Sequence, residues 1–321
     1  MLWFGREDVK EQQKKDFIKA LVEFEDGCNS QSQIPDWKGF YEYRAYFIAA
    51  AGIAEFKDCD LAYAIAKQIV TWGFGYFNIE KQKWQTFDEG IEEKAKAVLA
   101  ETDRKKAIAA LEELIRDFQN ESTRRQAAYS LGEIAEDNPT AIAALVELFR
   151  DSQSEDTRRQ AAYSLGKIAE HNPTAIAALV ELICGSQSEY TRRQAASSLG
   201  EIAGDNPTAI AALVELIRDS QSEYTRRQAA SSLGEIAGDN PTVIAALVEL
   251  IRDSQSEYTR KQAASSLGKI LTKSDKMTAV VTALKNDLSD EAYKVIWHCT
   301  QTMTYPAFYQ AWHSDSFPLQ N

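Results

Sequence analysis

The phrase Thr-Arg-Arg-Gln-Ala-Ala returns every 34 residues, at Thr123, Thr157, Thr191, Thr225 and Thr259, with Lys261 replacing the second Arg in the last copy. No insertion breaks the spacing. A unit this small cannot bury its apolar face alone, so a fixed period of this length means one supersecondary unit stacked on itself. One full unit, Thr225 to Tyr258, reads TRRQAASSLGEIAGDNPTVIAALVELIRDSQSEY.

Helical periodicity predicts two helices per unit. The first runs from about Thr123 to Ala135, with Ala127, Ala128, Leu131, Ile134 and Ala135 on one face. The second runs from about Pro139 to Arg150 and turns Ile142, Leu145, Leu148 and Phe149 inward. Asn138 suits an N-cap and Pro139 the first helical position, where its missing N–H costs nothing. Asn172-Pro173, Asn206-Pro207 and Asn240-Pro241 repeat this start. The other connection, Asp151 to Glu155, is a short polar turn, and the sequence leaves open which serine caps the following helix. Gly132, Gly166, Gly200, Gly234 and Gly268 recur in mid-helix, where Gly costs roughly 1 kcal/mol against Ala. A helix contact with no room for a Cβ would explain the recurrence. Arg124, Arg158, Arg192, Arg226 and Arg260 fall near the core-facing side. They are expected to form a ladder that pairs each Arg with a turn acid such as Asp151 or Asp219.

The opposite face of the first helix carries the candidate binding residues. At 100° per residue, Arg125, Tyr129 and Glu133 point away from the core, together with Gln126. Their copies are Arg159, Tyr163 and Lys167; Arg193, Ser197 and Glu201; Arg227, Ser231 and Glu235; and Lys261, Ser265 and Lys269. Most of the unit is copied unchanged, yet this stripe varies between Tyr and Ser and between Glu and Lys. Surface variation on a copied unit is where a repeat protein can encode partner choice, and Tyr and Arg are favoured at interface hot spots. An acidic or extended polypeptide is the expected ligand class. A second variable position, Asp156/Tyr190/Tyr224/Tyr258, is read as lying in the turn, where it could pack between repeats.

Composition narrows the partners. With 48 acids against 36 bases, the formal net charge of −12 repels a phosphate backbone, so nucleic acid is not an expected partner. No apolar run approaches the ~18–20 residues of a membrane span, and the start, MLWFGREDVKEQQKK, lacks a signal-peptide pattern. Cys28, Cys59, Cys184 and Cys299 are scattered and form no Cys-x-x-Cys pair, which points to a reducing, cytoplasmic compartment. His171, His298 and His313 show no zinc-ligand spacing. No cofactor and no catalytic constellation are expected.

The flanks are helical too. Helices are predicted at Glu7–Asp26, Phe40–Lys57, Leu61–Trp72 and Glu89–Glu101, with a polar loop at Ser30–Asp36. In the second of these, Arg44, Phe47, Ile48, Ala51, Gly52 and Ala54 match the offsets of Arg124, Ala127, Ala128, Leu131, Gly132 and Ile134, as a diverged repeat would. Ala107–Asp117 matches the second helix of the unit, whereas Val280–Leu284 and Glu291–Thr300 read as a degenerate final pair. The expected organisation is an N-terminal helical region (1–102), the repeat array (103–272) and a C-terminal capping repeat with a tail (273–321).

Arg-x-x-Ala-Ala-x-x-Leu-Gly-x-Ile, followed by a helix ending Leu-x-x-Leu-Ile-Arg-Asp, resembles the HEAT repeat of the phycobilisome-lyase-like subtype. Tetratricopeptide repeats share the period, but their Trp/Gly/Tyr pattern is absent. The segments RAYFIAAAGIAEFKDCDLA, KQIVTWGFGYFN and YKVIWHCTQTMTYPAFYQAWH resemble the C-terminal HEAT region of NACHT-type STAND signalling NTPases, found mainly in cyanobacteria. The resemblance implies an all-α solenoid, a HEAT/ARM-like superhelix of stacked antiparallel helix pairs, acting as a sensor or interaction region. It also implies that the Thr-Arg-Arg-Gln-Ala-Ala helix lines the concave surface, which sets the stripe along an inner groove that binds protein or peptide. No Gly-x-x-x-x-Gly-Lys-Ser/Thr loop is present, which leaves open a stand-alone relative, a truncated product or an excised part. Two enzyme classes share the fold. Deoxyhypusine hydroxylase binds iron through His-Glu pairs, and this chain has no His-Glu dipeptide. Phycobilin lyases share the repeat subtype, so a bilin lyase or a metal-dependent enzyme is the alternative to a non-catalytic scaffold.

Overall fold

The computed structural model describes residues 3–27, 38–78, 81 and 83–314. The loop read at Ser30–Asp36 and Cys28 lie outside the described residues. In chain order come α1 (Glu11–Val22), α2 (Phe40–Glu55), α3 (Ala62–Phe74), β1 (Tyr76–Asn78), β2 (Lys83–Gln85), α4 (Glu89–Leu99), α5 (Arg104–Asp117), α6 (Glu121–Ile134), α7 (Pro139–Asp151) and α8 (Glu155–Ile168). They continue with α9 (Pro173–Gly185), α10 (Glu189–Ile202), α11 (Pro207–Asp219), α12 (Glu223–Ile236), α13 (Pro241–Asp253), α14 (Glu257–Ile270), α15 (Ser274–Leu284), α16 (Asp290–Thr302) and α17 (Tyr305–His313). The fold is an all-α solenoid of stacked helix pairs. Two compact units divide it, Met1–Ser164 and Leu165–Asn321, with the division inside α8.

In the second unit α9, α11, α13 and α15 each pack on the following helix, and each helix packs on the next but one, so α10, α12, α14 and α16 form one layer and α9, α11, α13, α15 and α17 the other. The core lies between the layers. Leu199, Leu233 and Leu267 from one side and Leu213, Leu247 and Leu284 from the other are fully buried, each worth about 1.5–3 kcal/mol over exposure. In the first unit α3, α5 and α7 stack in the same manner, with α6 against α5 and α7. Its N-terminal part has an aromatic core instead. Trp72 is fully buried, with the rings of Tyr43, Tyr46 and Phe47 4.7–5.8 Å from it.

The Asn-Pro start behaves as predicted. The Asn138 side chain accepts hydrogen bonds from the N–H groups of Thr140 and Ala141 at 3.0 and 3.1 Å, and Pro139 is the first helical residue. Asn172, Asn206 and Asn240 cap α9, α11 and α13 in the same way. The structure also settles the serine turn. Ser188, Ser222 and Ser256 are the N-caps of α10, α12 and α14, accepting from the N–H of Thr191, Thr225 and Thr259. The earlier serine of each turn, such as Ser220, closes the preceding helix. The first helix of each unit thus begins two residues before its Thr, which places a glutamate inside the first turn.

Three sequence expectations change. The short hairpin β1–β2 was not anticipated; Trp84 on β2 donates from Nε1 to the Phe74 carbonyl at 3.0 Å and anchors it to α3. Helix α17 adds a turn-separated element after the degenerate pair. The residue-by-residue match of α2 to the repeat also fails. Arg44 and Ile48 are exposed, unlike the buried Arg124 and Ala128, and a Cβ on Gly52 would meet the Phe4 ring at 2.7 Å rather than a neighbouring helix's serine. The buried face of α2 mixes alanines (Ala45, Ala49, Ala50) with the rings of Tyr43, Tyr46 and Phe47, while Phe40 and Tyr41 stay exposed.

Candidate functional site

The helices that carry the stripe are fixed from below by two copied contacts. The first is a polar hub on the first-turn glutamate. In the first unit Glu121 pairs with Arg124 at 3.0 Å and accepts the Ser152 hydroxyl at 2.7 Å. The Thr157 hydroxyl donates to the Glu121 carbonyl at 3.2 Å. In the second unit Glu189 and Glu223 make the same set with Arg192, Ser220 and Thr225, and with Arg226, Ser254 and Thr259. The arginine Nε donates to a helix-end carbonyl, Ile115, Ile183 or Ile217, at 3.0–3.2 Å. The ladder therefore uses the first-turn glutamate, not the turn acids Asp151 and Asp219: three residues back on the same helix lies within direct reach of the guanidinium. Burial pushes the pKa of Glu121, Glu189 and Glu223 upward. The Ser and Thr hydroxyls and the adjacent Arg charge outweigh it and hold each carboxyl below its usual range.

The second contact is at the glycines. A Cβ on Gly132 would lie 2.7 Å from the Ser164 Oγ and 3.1 Å from its Cα. Gly166, Gly200 and Gly234 meet Ser198, Ser232 and Ser266 at 2.6–2.7 Å. Ser164 and Ser232 are buried and donate to the carbonyls of Ala128 and Ala196, both at 2.8 Å. The mid-helix glycines thus allow the next stripe helix to touch backbone.

All stripe residues lie off the core. Tyr129, Glu133, Tyr163, Lys167, Glu201, Glu235, Lys261, Ser265 and Lys269 are exposed; Arg125, Arg159, Arg193, Ser197, Arg227 and Ser231 are half-buried. In the first unit Asp156 lies between Arg125 (3.7 Å) and Arg159 (3.2 Å). In the second unit a tyrosine occupies that position. The guanidinium of Arg193 sits 4.4 Å from the Tyr190 ring centroid, and that of Arg227 sits 5.3 Å from the Tyr224 centroid. This variable position is therefore inside the first helical turn and exposed, not packed between repeats. Its exchange of acid for ring keeps an arginine held three residues on, by charge at Asp156 and by the π face at Tyr190 and Tyr224.

Two hollows open beside the stripe. One, in the first unit, has a volume of about 320 Å³ and involves Arg125, Gln126, Tyr129 and Gln160 together with Phe74 and Lys96. The other, in the second unit, measures about 520 Å³ and lies between α14 and α16. Lys261, Ser265 and Lys269 line it on one side and Lys294 and His298 on the other. Gly268 also lines it, and no atom of a neighbouring element lies within 4 Å of a Cβ built there. The cleft exists because the Gly–Ser contact is not repeated.

His298 and Cys299 are neighbours in sequence but not in environment. His298 faces this cleft; Cys299 is fully buried, and burial pushes its thiol pKa up to about 12. Among the described residues no three His, Cys, Asp or Glu side chains gather as a metal-binding group, and no helix is long and apolar enough to cross a membrane. The stripe follows the repeat and ends at Lys269. Beyond it, α16 and α17 expose a set of aromatic residues whose signal was present in the sequence as Tyr293/Trp297, Tyr305/Tyr309 and Phe308/Trp312, each pair four residues apart.

Comparison with known proteins agrees with this architecture. A search of curated proteins returned no match. Kap121p, in a crystal structure with the extreme C-terminus of the phosphatase Cdc14p, is similar over 84% of this chain at 14% identity and a TM-score of 0.51. This chain spans 33% of that karyopherin. Importin β aligns with 91% of this chain at 14% identity (42% of its own length; TM-score 0.49). YibA of Escherichia coli aligns over 92% of this chain and 98% of its own at 16% identity, with a TM-score of 0.46. A profile described as NACHT C-terminal Cysteine and Histidine-containing matches residues 285–313. The HEAT-repeat profile matches 86–166, 151–234 and 213–297. Those three matches overlap into a run of more than half the chain, which belongs to the HEAT-repeat family.

Proposed function

We propose that this chain is a non-catalytic scaffold that captures protein or peptide along the stripe, and that it derives from the sensor region of a STAND-type NTPase with HEAT repeats of the phycobilisome-lyase-like subtype. The observation that carries the reading is the division of labour on one helix. The glutamate hub and the Gly–Ser contact hold the stack, while Arg, Tyr and Lys on the far face lie off the core, beside two hollows. The match at 285–313 supports the STAND relation. The ligand class follows from the lining: around the α14–α16 cleft Lys261, Lys269, Lys294 and His298 outnumber the acid Glu291, itself paired with Arg260, and favour a carboxylate-bearing, extended segment. Kap121p, whose structure holds a chain terminus of another protein, gives the same fold such a role.

The test is a variant with Arg125, Tyr129, Arg159 and Tyr163 all replaced by Ala. These side chains are outside the core, and surface ion pairs such as Arg125–Asp156 are worth about 0–1 kcal/mol. The variant should keep its helical circular dichroism and lose the proteins that the native chain captures from lysate of its source. Capture of the same proteins by a folded variant would refute the stripe.

A further inference from the structure

The aromatic residues of the last two helices do not fill the core. Tyr293 and Trp297 on α16 stand one above the other, rings 6.3 Å apart and only 18° from parallel. On α17 the same spacing pairs Tyr305 with Tyr309 and Phe308 with Trp312, at 6.0 and 5.8 Å. Tyr305 is 77% exposed, Tyr293 64% and Trp297 54%. These rings line a cavity of about 530 Å³. Exposed aromatic rings gathered around one cavity suit an interaction site, because Tyr and Trp dominate binding hot spots.

The cavity's charges say what it would take. Asp287 and Asp290 line it beside the rings. Asp287 is steadied by the Ser289 N–H, which donates to its Oδ1 at 2.9 Å. Lys285 also lines it, but its Nζ is tied to the carbonyls of Trp312 and Ser314, at 3.1 and 2.6 Å, at the negative end of α17. His313 lies against the Tyr309 ring, 4.3 Å between centroids. Electron-rich ring faces next to carboxylates attract a cation, and a guanidinium most of all. The chain makes this pairing within itself where Arg193 covers Tyr190. Its net charge of −12 adds a long-range attraction for a basic partner.

We propose that the α16–α17 face is a second docking site, independent of the stripe, for an extended peptide carrying arginine, with guanidinium groups over the Trp297 and Tyr305 rings and paired with Asp287 and Asp290. The stripe would then accept acidic segments and this face basic ones.

The probe is a fluorescein-labelled peptide, acetyl-Arg-Pro-Arg-Pro-Arg-amide, whose prolines keep it extended. It is titrated by anisotropy into the full chain at about 150 mM salt, where exposed charges more than ~8 Å apart are screened. Saturable binding is expected. Trp297→Leu and Tyr305→Leu should each weaken it about tenfold with helical content unchanged, the scale of one or two lost cation–π contacts. Asp287→Asn with Asp290→Asn should weaken it several-fold, and the stripe variant should bind as the native chain does. The glutamate counterpart of the probe should not bind. Undiminished affinity in Trp297→Leu would mean diffuse attraction to an acidic surface and would overturn the proposal. So would equal or tighter binding of the leucine counterpart, which would make the face simply apolar. Dimerisation by analytical ultracentrifugation that Trp297→Leu abolishes would show a second copy as the occupant, and would also overturn it.

Discussion

The junctions α10/α12 and α12/α14 and the junction α14/α16 present the same glycine to different surroundings. At Gly200 and Gly234 a Cβ would strike the serine of the next helix at 2.6–2.7 Å; at Gly268 it would meet nothing within 4 Å. The polar hub changes at the same place. Arg192 and Arg226 each pair with the glutamate three residues back and reach a helix-end carbonyl through Nε. Arg260 lies 3.6 Å from the buried Glu291 of α16 instead, and Glu257 pairs with Lys261. The sequence of the unit is thus copied one step beyond the contact it serves. At the interior junctions the copied residues lock helices together, whereas at the last one they line an open cleft with lysines. A repeat residue has no fixed role; the next repeat supplies it.

The sharpest way to break this comparison is at the interior glycine. Gly200→Ala gains helix propensity of up to ~1 kcal/mol. It also forces a methyl against the Ser232 Oγ, and the Ser232 Cα at 3.1 Å leaves the backbone no room to yield. Overpacking costs of about 1–3 kcal/mol should win, for a net loss of up to about 2 kcal/mol in chemical denaturation followed by circular dichroism. Ser232→Gly in the same chain should recover part of the loss, because the two residues share one contact. An additive pair would mean that the glycine is kept for some other reason.

The hub gives a smaller, pH-dependent effect. Glu223→Gln keeps an acceptor for Ser254 but gives up the charge opposite Arg226, at a cost of about 1 kcal/mol. Because the folded carboxyl titrates below its usual range, the unfolded chain binds the proton more readily. The contribution is complete above the unfolded pKa of about 4.3 and is lost as pH falls through the lower folded value. Native and Glu223→Gln chains should therefore differ in stability at pH 6 and converge toward pH 3. Lys261 also holds Glu257 below its usual range, but that pair is exposed and screened by solvent, so Glu257→Gln should change stability much less over the same pH window.

How far the sequence reveals this contrast depends on what is copied. The Asn-Pro caps, the apolar faces and the tight glycine contact are legible because each recurs at the same offset, and a recurring cost implies a recurring reason. The hub's acid is not legible from a helix started at Thr123: Glu121 then falls in the turn, outside the helix whose geometry brings it to Arg124. His298 and Cys299 are neighbours in the sequence, yet helical rotation sends Cys299 inward and leaves His298 at the cleft. The stripe's outward direction follows from 100° per residue, but its hollows do not. They depend on where a neighbouring helix fails to close, as α16 does against Gly268, and no period records an absence of contact. The aromatic face of α16 and α17 lies outside the repeat altogether, where i,i+4 spacing reads equally as core or as surface.

The smallest effect has the opposite sign, and it separates the two kinds of junction most cleanly. Gly268→Ala places a methyl in open space within a helix, at a residue with no left-handed backbone to strain. The lost contact cannot be charged to it, so the propensity gain of up to ~1 kcal/mol should remain as net stabilisation. If Gly268→Ala is destabilising instead, α16 closes on α14 in solution and the cleft beside Lys269 is not open. If it stabilises while a larger side chain, as in Gly268→Leu, weakens capture by the native stripe without lowering stability, the space vacated by the missing serine is where a partner enters.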